Sequence, residues 1–369
     1  MNRLQLCKVA SVVLLAGGLA SAQHITTFSA PGAGTGAGQG TGGFGINPQG
    51  TVVGSYVDDG NVFHGYQCVS GCASPSTFTT FNAPGAGTAA TQGTITFSIN
   101  LFGVTTGYYI DANNVAHGFV TAAPFRTFIT LNVPDAGQGA GQGTIAGNVN
   151  LGGEIAGYYI DANNVSHGFV TYPPYRTFTS FDPPGSVNTL TAVASSLSLE
   201  GTVTGTYFDA SGAAHGYVRA ANGTITEYNV TGAGTGSGQG TESASISDLD
   251  AVTGNYIDSS GVNHGFVRSR SGAITTFNVL EAGTGSGQGT VPEGIDLVGG
   301  ITGQYIDSSG VNHGFVTAPP YRSSASFDAP GAGTASGQGT FPATPNLFGA
   351  ITGQYIDANN VHYGFLRNP

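Results

Sequence analysis

The stretch GQYIDSSGVNHGFV occupies residues 303–316, and it returns as GNYIDSSGVNHGFV at 254–267 and as GYYIDANNVSHGFV at 157–170. Its aspartate recurs at steps of 48 to 53 residues along the chain, at Asp58, Asp111, Asp161, Asp209, Asp258, Asp307 and Asp357. A period of about 49 residues is the length of a four-stranded propeller blade. The spacing therefore predicts seven copies of one structural unit.

Each copy contains four short segments that favour β-strands. Between 289 and 327 these are TVPEGID, GITGQYID, NHGFVT and SASFDA. They are rich in β-branched and aromatic residues, and Gly, Asn, Asp and Ser separate them. Charged residues make up only 8% of the chain and glycine contributes 62 of 369 residues, which disfavours long helices. The pattern predicts an all-β fold.

The two ends of the repeat array complement one another. The segment ITTFSAPGAG at 25–34 matches a fourth strand, whereas the chain stops after a third strand, YGFLRNP at 363–369. Pairing them would complete the last copy and remove open sheet edges. We therefore predict a single domain, 23–369, that is a seven-bladed β-propeller closed by its N-terminal strand. An open solenoid needs no such complement, and the strands are too short for a transmembrane barrel.

The first residues predict export from the cell. Arg3 and Lys8 precede an apolar run from Val9 to Leu19, and small residues follow up to Ala22. This is the pattern of a secretory signal peptide, residues 1–22, and the run is too short for a membrane span. The prediction is a secreted, extracellular or periplasmic protein without a membrane span.

Charge excludes several partner classes. After removal of 1–22 the chain keeps seven arginines and no lysine against twenty acidic residues. A net negative charge disfavours nucleic acid and anionic membrane surfaces, both of which need clustered positive charge. The expected partners are an extracellular polysaccharide or a surface protein, and we expect a monomer.

Two cysteines remain in the predicted mature chain, Cys68 and Cys72, in CVSGC. In an oxidising compartment this pair predicts a local disulfide. Zinc is the weaker alternative, because two thiols supply only half of a tetrahedral site and there is no second pair.

A histidine follows the repeated aspartate by six residues in six copies, and the seventh copy has a tyrosine there. If the intervening turn has three residues, His313 lies opposite Tyr305 on the face that carries Asp307; a two-residue turn shifts this register. We predict a structural hydrogen bond in each hairpin rather than a metal ligand or a general base, since equivalent residues in a ring lie far apart. The positions are His64, His117, His167, His215, His264, His313 and Tyr363.

The repeated pattern G-x-Y-x-D-x-x-G-x-x-H-G-F resembles that of the bacterial extracellular HAF-repeat proteins, and the resemblance covers nearly the whole chain after residue 22. It implies a secreted repeat protein with a propeller fold. It implies no reaction, because the family has no activity to carry across.

Two groups of residues are candidates for ligand binding. Arg126, Arg176 and Arg322 follow the aromatic residues Phe125, Tyr175 and Tyr321, and such pairs can stack and hold planar or acidic ligands; the alternative is an ordinary solvated loop. The turns of the fifth and sixth copies carry Asp248, Asp250 and Asp296, with Glu242 and Glu293 nearby. No cofactor is expected, but these acids offer two alternatives, a calcium site or a carboxylate pair for glycoside hydrolysis.

The glycine-rich loops, such as PGAGTGAGQGT at 31–41, contain G-x-G-x-x-G, but the motif recurs and no helix follows it, which argues against a dinucleotide site. Glutamines in these loops, Gln39 for example, are expected on one face of the fold, where they suit recognition of a polar ligand such as glycan.

The leading interpretation is a non-catalytic extracellular binding or scaffold module. No nucleophile-elbow serine motif and no HExxH motif occurs. The alternatives are a polysaccharide hydrolase or lyase that uses the acids of copies five and six, and a structural protein of a surface layer or matrix.

Overall fold

A computed structural model describes residues 24–191 and 196–369, and the predicted signal peptide lies outside them. The described chain forms 28 β-strands and two short 3-10 turns, Ser70–Cys72 and Pro75–Thr77, and it contains no α-helix. The all-β prediction is confirmed. Within this part of the chain there is accordingly no helix long and apolar enough to cross a membrane.

The strands are four to seven residues long. In chain order the first fourteen are β1 Ile25–Phe28, β2 Gly40–Ile46, β3 Val52–Val57, β4 Phe63–Cys68, β5 Phe78–Phe81, β6 Gly93–Ile99, β7 Val104–Ile110, β8 Ala116–Ala122, β9 Phe128–Leu131, β10 Gly143–Val149, β11 Ile155–Ile160, β12 Ser166–Thr171, β13 Phe178–Phe181 and β14 Asn188–Thr191. The others are β15 Val203–Phe208, β16 Ala214–Arg219, β17 Ile225–Tyr228, β18 Gly240–Ile246, β19 Val252–Ile257, β20 Asn263–Arg268, β21 Ile274–Phe277, β22 Gly289–Ile295, β23 Ile301–Ile306, β24 Asn312–Thr317, β25 Ser324–Phe327, β26 Gly339–Pro345, β27 Ile351–Ile356 and β28 His362–Arg367.

Antiparallel pairing joins the strands in sets of four, of which set 1 comprises β2 to β5 and set 6 comprises β22 to β25. The last set takes its fourth strand from the other end of the chain. β1 pairs with β28, with Ile25 opposite Arg367 and Phe28 opposite Gly364. The N-terminal strand therefore occupies the place that β5, β9 and their equivalents occupy elsewhere.

Single parallel bridges join the third strand of a set to the first strand of the next. Examples are Phe63 with Gly93 and His362 with Gly40. Glycine is required at the bridge: Gly40 has φ +114°, and a Cβ there would overlap the carbonyl oxygen of His362. Because bridged strands run in the same direction, the corresponding turns of all seven sets lie at the same end of the molecule.

The two ends are named here by their connections. The glycine-loop end carries the turns between second and third strands and the loops between sets, such as 29–39. The proline-loop end carries the turns between first and second strands, such as 47–51, and the loops between third and fourth strands, such as 318–323.

The core is a series of aromatic rings at equivalent positions. The third strand of every set contributes one fully buried ring: Tyr66, Phe119, Phe169, Tyr217, Phe266, Phe315 and Phe365 are each 0% exposed. Burial of one such side chain stabilises a fold by roughly 1.5–3 kcal/mol. The repeated HGF or HGY triplet, which is YGF in the last set, thus supplies one core residue per set.

Candidate functional site

The first strands carry a β-bulge at a repeated position. In five sets one residue is skipped in the register with the second strand: Phe44, Phe97, Gly147, Ala244 and Glu293. In β26 the register shifts between Pro342 and Pro345. A bulge re-aims the side chain that it leaves unpaired. Four of these five skipped residues, all but Gly147, line a single cavity.

That cavity has a volume of about 650 Å³ and is bordered by strands from different sets. Several aromatic rings line it. Phe44 and Phe97 meet edge to face with ring centroids 6.3 Å apart, and Tyr158, Phe208 and Phe341 also line the space. The volume lies in the range of small-molecule sites in proteins.

The cavity lining also includes amides and two carboxylates. Asn255 Nδ2 donates to Glu242 Oε2 at 3.0 Å, and Gln304 and Gln354 lie on the neighbouring second strands. Burial, and secondly the charge of Glu242, raises the pKa of Glu293 to about 7. Below pH 7 Glu293 therefore holds its proton and can donate a hydrogen bond in the cavity.

The acidic turn residues that the sequence singled out lie elsewhere. Asp248 and Asp296 line a smaller cavity of about 200 Å³ at the proline-loop end. Asp296 Oδ1 accepts the N–H groups of its own turn, from Val298 at 2.9 Å and Gly300 at 2.7 Å. Asp250 is buried, and its carboxylate lies 3.5 Å from Arg270 Nε. The carboxylates of the larger cavity are instead Glu242 and Glu293.

Metal ligands are not grouped in the described residues. Over 24–191 and 196–369, no three His, Cys, Asp or Glu side chains are arranged so as to hold an ion.

In each predicted arginine–aromatic pair, the arginine and the aromatic side chain point in different directions. Arg126, Arg176 and Arg322 are exposed, whereas Phe125 is buried and stacks on Phe81 of the preceding set at 4.2 Å. Tyr321 likewise stacks on Phe277 at 5.7 Å. The aromatic residue thus fastens one set to another, and the arginine extends into solvent.

Other arginines fill the same place in sets without such a loop. The guanidinium carbon of Arg219 lies 4.9 Å from the Phe181 ring centroid, and Arg268 and Arg367 lie 5.0 Å from Tyr228 and Phe327. We call this place the inter-set slot: a side chain of one set covers the fourth-strand ring of the preceding set. The stacked cations here serve packing.

The repeated Asp–His pair forms a local network in the hairpins. In set 1, His64 Nε2 lies 3.0 Å from Asp58 Oδ2, His64 Nδ1 lies 2.9 Å from Asn82 Oδ1, and the ring stacks on Tyr56 at 4.8 Å. The same Asp–His contact recurs at 3.2 to 3.8 Å in the pairs 111–117, 161–167, 209–215, 258–264 and 307–313. Asn82 and its equivalents follow the last residue of the fourth strand, and the repeated Asn or Asp after a large apolar residue was their sequence signal.

The register places Tyr305 opposite His313, as expected for a three-residue turn. In the last set Tyr363 replaces the histidine and stacks on Tyr355 at 5.1 Å. His362, one residue earlier, instead points to Gln354 Oε1 at 3.2 Å, and burial lowers its pKa.

The loop glutamines are engaged within the protein. Gln39 Oε1 accepts the N–H of Gly36 at 2.8 Å, and its Nε2 donates to Asn61 Oδ1 at 3.1 Å. Gln142 bonds Gly139 and Asn164 in the same way. These amides hold the glycine loop to the adjacent turn, which leaves them few free groups for a glycan.

Cys68 and Cys72 are paired as a disulfide and pack in the cluster that contains Phe28. The bridge closes the loop after β4 against β1. It therefore supports the place where the two ends of the chain meet.

No protein-family model matches the chain, and no curated protein sequence matches it. Among solved structures, puromycin hydrolase (S511A mutant, complexed with PGG) superposes with a TM-score of 0.53 at 11% identity, over 90% of this chain and 50% of that one. The chain thus spans about half the length of that protein. The BP39L lectin from Burkholderia pseudomallei gives a TM-score of 0.48 at 11% identity, over 89% of this chain and 97% of the lectin. Together with the strand pairing, the similarity to puromycin hydrolase describes a propeller-like all-β fold.

Proposed function

We propose that this protein is a non-catalytic binding module for carbohydrate and that the site is the 650 Å³ cavity between the first strands. The observation that carries the proposal is that aromatic rings, amides and carboxylates line the same cavity. A sugar ring has apolar C–H faces and a rim of hydroxyl groups. Aromatic rings cover the first, and amides and carboxylates hydrogen-bond the second.

Differences between the copies support this location. The residues that form hairpins and core are nearly the same in each set. At the bulge, by contrast, the side chain is Phe44, Phe97, Ala244 or Glu293 according to the set. A ligand that is not seven-fold symmetric needs such unequal positions, whereas the fold itself does not.

The proposal includes the finer architecture. We infer seven four-stranded blades in a closed ring, with the cavity at its centre. The antiparallel pairing of β1 with β28 and the bridge between His362 and Gly40 support closure. Secretion after cleavage behind Ala22, and membership of the HAF-repeat family, remain part of the same proposal because they rest on the sequence alone.

Binding to a glycan array, followed by titration calorimetry on the best ligand, tests the function. Gln304→Ala removes a cavity amide, and we expect it to weaken binding at least about tenfold, the loss for a buried hydrogen-bonding group. Gln49→Ala, an exposed glutamine in a turn at the proline-loop end, is the matched control. No binding on the array, or equal losses in both variants, contradicts the proposal.

One observation favours a second candidate, a glycoside hydrolase. A carboxyl with a pKa of about 7, Glu293, beside the acid Glu242 is the pairing that acid catalysis of glycosidic cleavage uses. Released reducing sugar from the array ligand would favour this candidate. Glu293→Gln should then abolish turnover but keep ligand affinity, whereas in a binding module no turnover exists to be lost.

A further inference from the structure

The proline-loop end carries a ring of exposed apolar side chains. Of fourteen large hydrophobic residues exposed among those described, nine lie in the turns between first and second strands. The most exposed are Val298 at 80%, Phe102 at 72%, Phe348 at 71%, Leu249 at 59% and Leu347 at 50%. Six of the seven sets contribute at least one. This apolar collar surrounds one end of the molecule, and four of its leucines also line the 200 Å³ cavity there.

The charges are divided between the two ends. All seven described arginines lie at the proline-loop end, either in the last position of a third strand or in the loop that follows it. Twelve of the twenty acidic residues lie at the glycine-loop end: the seven repeat aspartates, and Asp59, Asp135, Asp182, Glu281 and Asp328. Positive and negative charges are therefore separated between the proline-loop end and the glycine-loop end, although the net charge of the chain is negative.

Five acids lie near the collar. Glu154 is buried, Glu200 and Asp250 face Arg270 at 2.8 and 3.5 Å, Asp296 accepts N–H groups of its own turn, and Asp248 is exposed. Arg126, Arg176 and Arg322 are exposed around the collar. The seven arginines at this end outnumber its five acids, so its net charge is positive.

We propose that the proline-loop end docks on a bilayer that contains anionic phospholipid. The collar enters the headgroup boundary, and Arg126, Arg176 and Arg322 contact lipid phosphates, while the acidic end faces away. This arrangement leaves the central cavity independent of the membrane contact. A second copy docked collar to collar would oppose two sets of exposed arginines, which disfavours that occupant.

The net negative charge of the whole chain does not by itself exclude this docking. Electrostatic attraction to a surface depends on the charge that faces it within about a Debye length, about 8–10 Å at physiological salt. The acidic end lies beyond that distance, because strands of six or seven residues separate the two ends.

The test is co-sedimentation with vesicles. We would use the secreted protein as recovered, with its N-terminus read by mass spectrometry, since an uncleaved apolar run at 9–19 would bind lipid by itself. The vesicles are phosphatidylcholine alone, or one part phosphatidylglycerol to two parts phosphatidylcholine. We expect binding to the mixed vesicles, and a fall of at least about tenfold in partitioning for Phe102→Ser with Phe348→Ser.

Two further variants separate the contributions. Replacing Arg126, Arg176 and Arg322 by Gln should weaken binding to the mixed vesicles by up to about fivefold per arginine and leave pure phosphatidylcholine nearly unaffected. Leu280→Ser, which alters an apolar residue 92% exposed at the glycine-loop end, is the control and should change nothing. Circular dichroism melting verifies that every variant is folded.

Three results would overturn the proposal: no binding to either vesicle, an equal loss in Leu280→Ser, or lipid-independent dimers that the Phe102→Ser and Phe348→Ser changes dissociate. The last result would assign the collar to a second copy of the chain. Because none of these residues lines the central cavity, glycan binding in the same variants reports separately on the proposed function.

Discussion

At the scale of single residues, the cavity contains a carboxyl that favours its protonated form in the folded protein. Burial and Glu242 raise the pKa of Glu293 to about 7, compared with about 4.3 in an unfolded chain. An acid with a raised folded pKa gives the folded state an extra proton between these values. Stability is therefore greatest below the unfolded pKa and declines as pH rises towards 7.

Glu293→Gln removes this titration. We expect the variant to be more stable than the parent at pH 8, on the order of 1 kcal/mol because the carboxyl retains access to the cavity, and to differ little at pH 4. Urea unfolding at the two pH values measures the difference. Glu281→Gln, at an exposed site, is the control, and a gain independent of pH would contradict the assignment of the proton to Glu293.

The repeated aspartate shows the opposite linkage. Against the burial that would raise it, the N–H of Val62 and the side chain of His64 lower the pKa of Asp58. A lowered folded pKa gives stability that is present above the unfolded value, about 3.9, and is lost as pH falls below it. Since the same arrangement occurs in other sets, we expect acid unfolding to be steep below about pH 4.

Asp58→Asn tests the pair directly. Asparagine can still accept the turn N–H groups but carries no charge for His64, so we expect a loss of about 1 kcal/mol at pH 6 and a weaker dependence on acid. Asp59→Asn changes an exposed neighbour in the same turn and should be neutral. Thermal melting measures both losses of stability. If they are equal, the Asp–His network does not stabilise the fold.

At the scale of strands, the sequence predicts much of the strand pairing within each set. It predicts neither the bulges nor the inter-set slot. Alternation, turn residues and the Asp–His spacing located the hairpins, because those signals are local. A bulge at Glu293 depends on how two strands slip past each other. The inter-set slot was hidden for another reason: it is filled by Phe125 in one set and Arg219 in another, chemically unlike side chains that share only a flat face. The sequence singled out the turn acids Asp248 and Asp296 because an acidic turn is also a local signal.

The inter-set slot makes a prediction for arginine. Arg219→Lys keeps the charge but removes the planar group over Phe181, so we expect a loss of about 1 kcal/mol in the free energy of unfolding. Arg126→Lys, at an exposed position, should change it by less than about 0.5 kcal/mol. Denaturant titration of both variants measures the contrast. If both are neutral, stacking in the inter-set slot does not stabilise the fold.

At the scale of the whole molecule, the pairing of the chain ends decides whether the seven sets form one cooperative ring. Phe28 in β1 and Phe327 in β25 are equivalent fourth-strand rings, 6% and 7% exposed, and each packs on the third-strand ring of its neighbour, Tyr66 and Phe365. In an open array a terminal strand frays locally, and its loss costs the rest little. In a closed ring no strand is terminal, and β1 is packed against both β28 and set 1 although it is the first strand in sequence.

Phe28→Ala and Phe327→Ala therefore form a matched pair. If the ring is closed, both should lower the free energy of unfolding by about 3–5 kcal/mol, the cost of truncating a buried ring, and both should keep a single transition. If the array is open, Phe28→Ala should cost much less, and hydrogen exchange should show fraying confined to β1 and β28 while the other sets keep their protection. Closure by the N-terminal strand predicts equal costs because β1 then bears the same packing as every other fourth strand, and a difference of more than about 2 kcal/mol between the variants would contradict it.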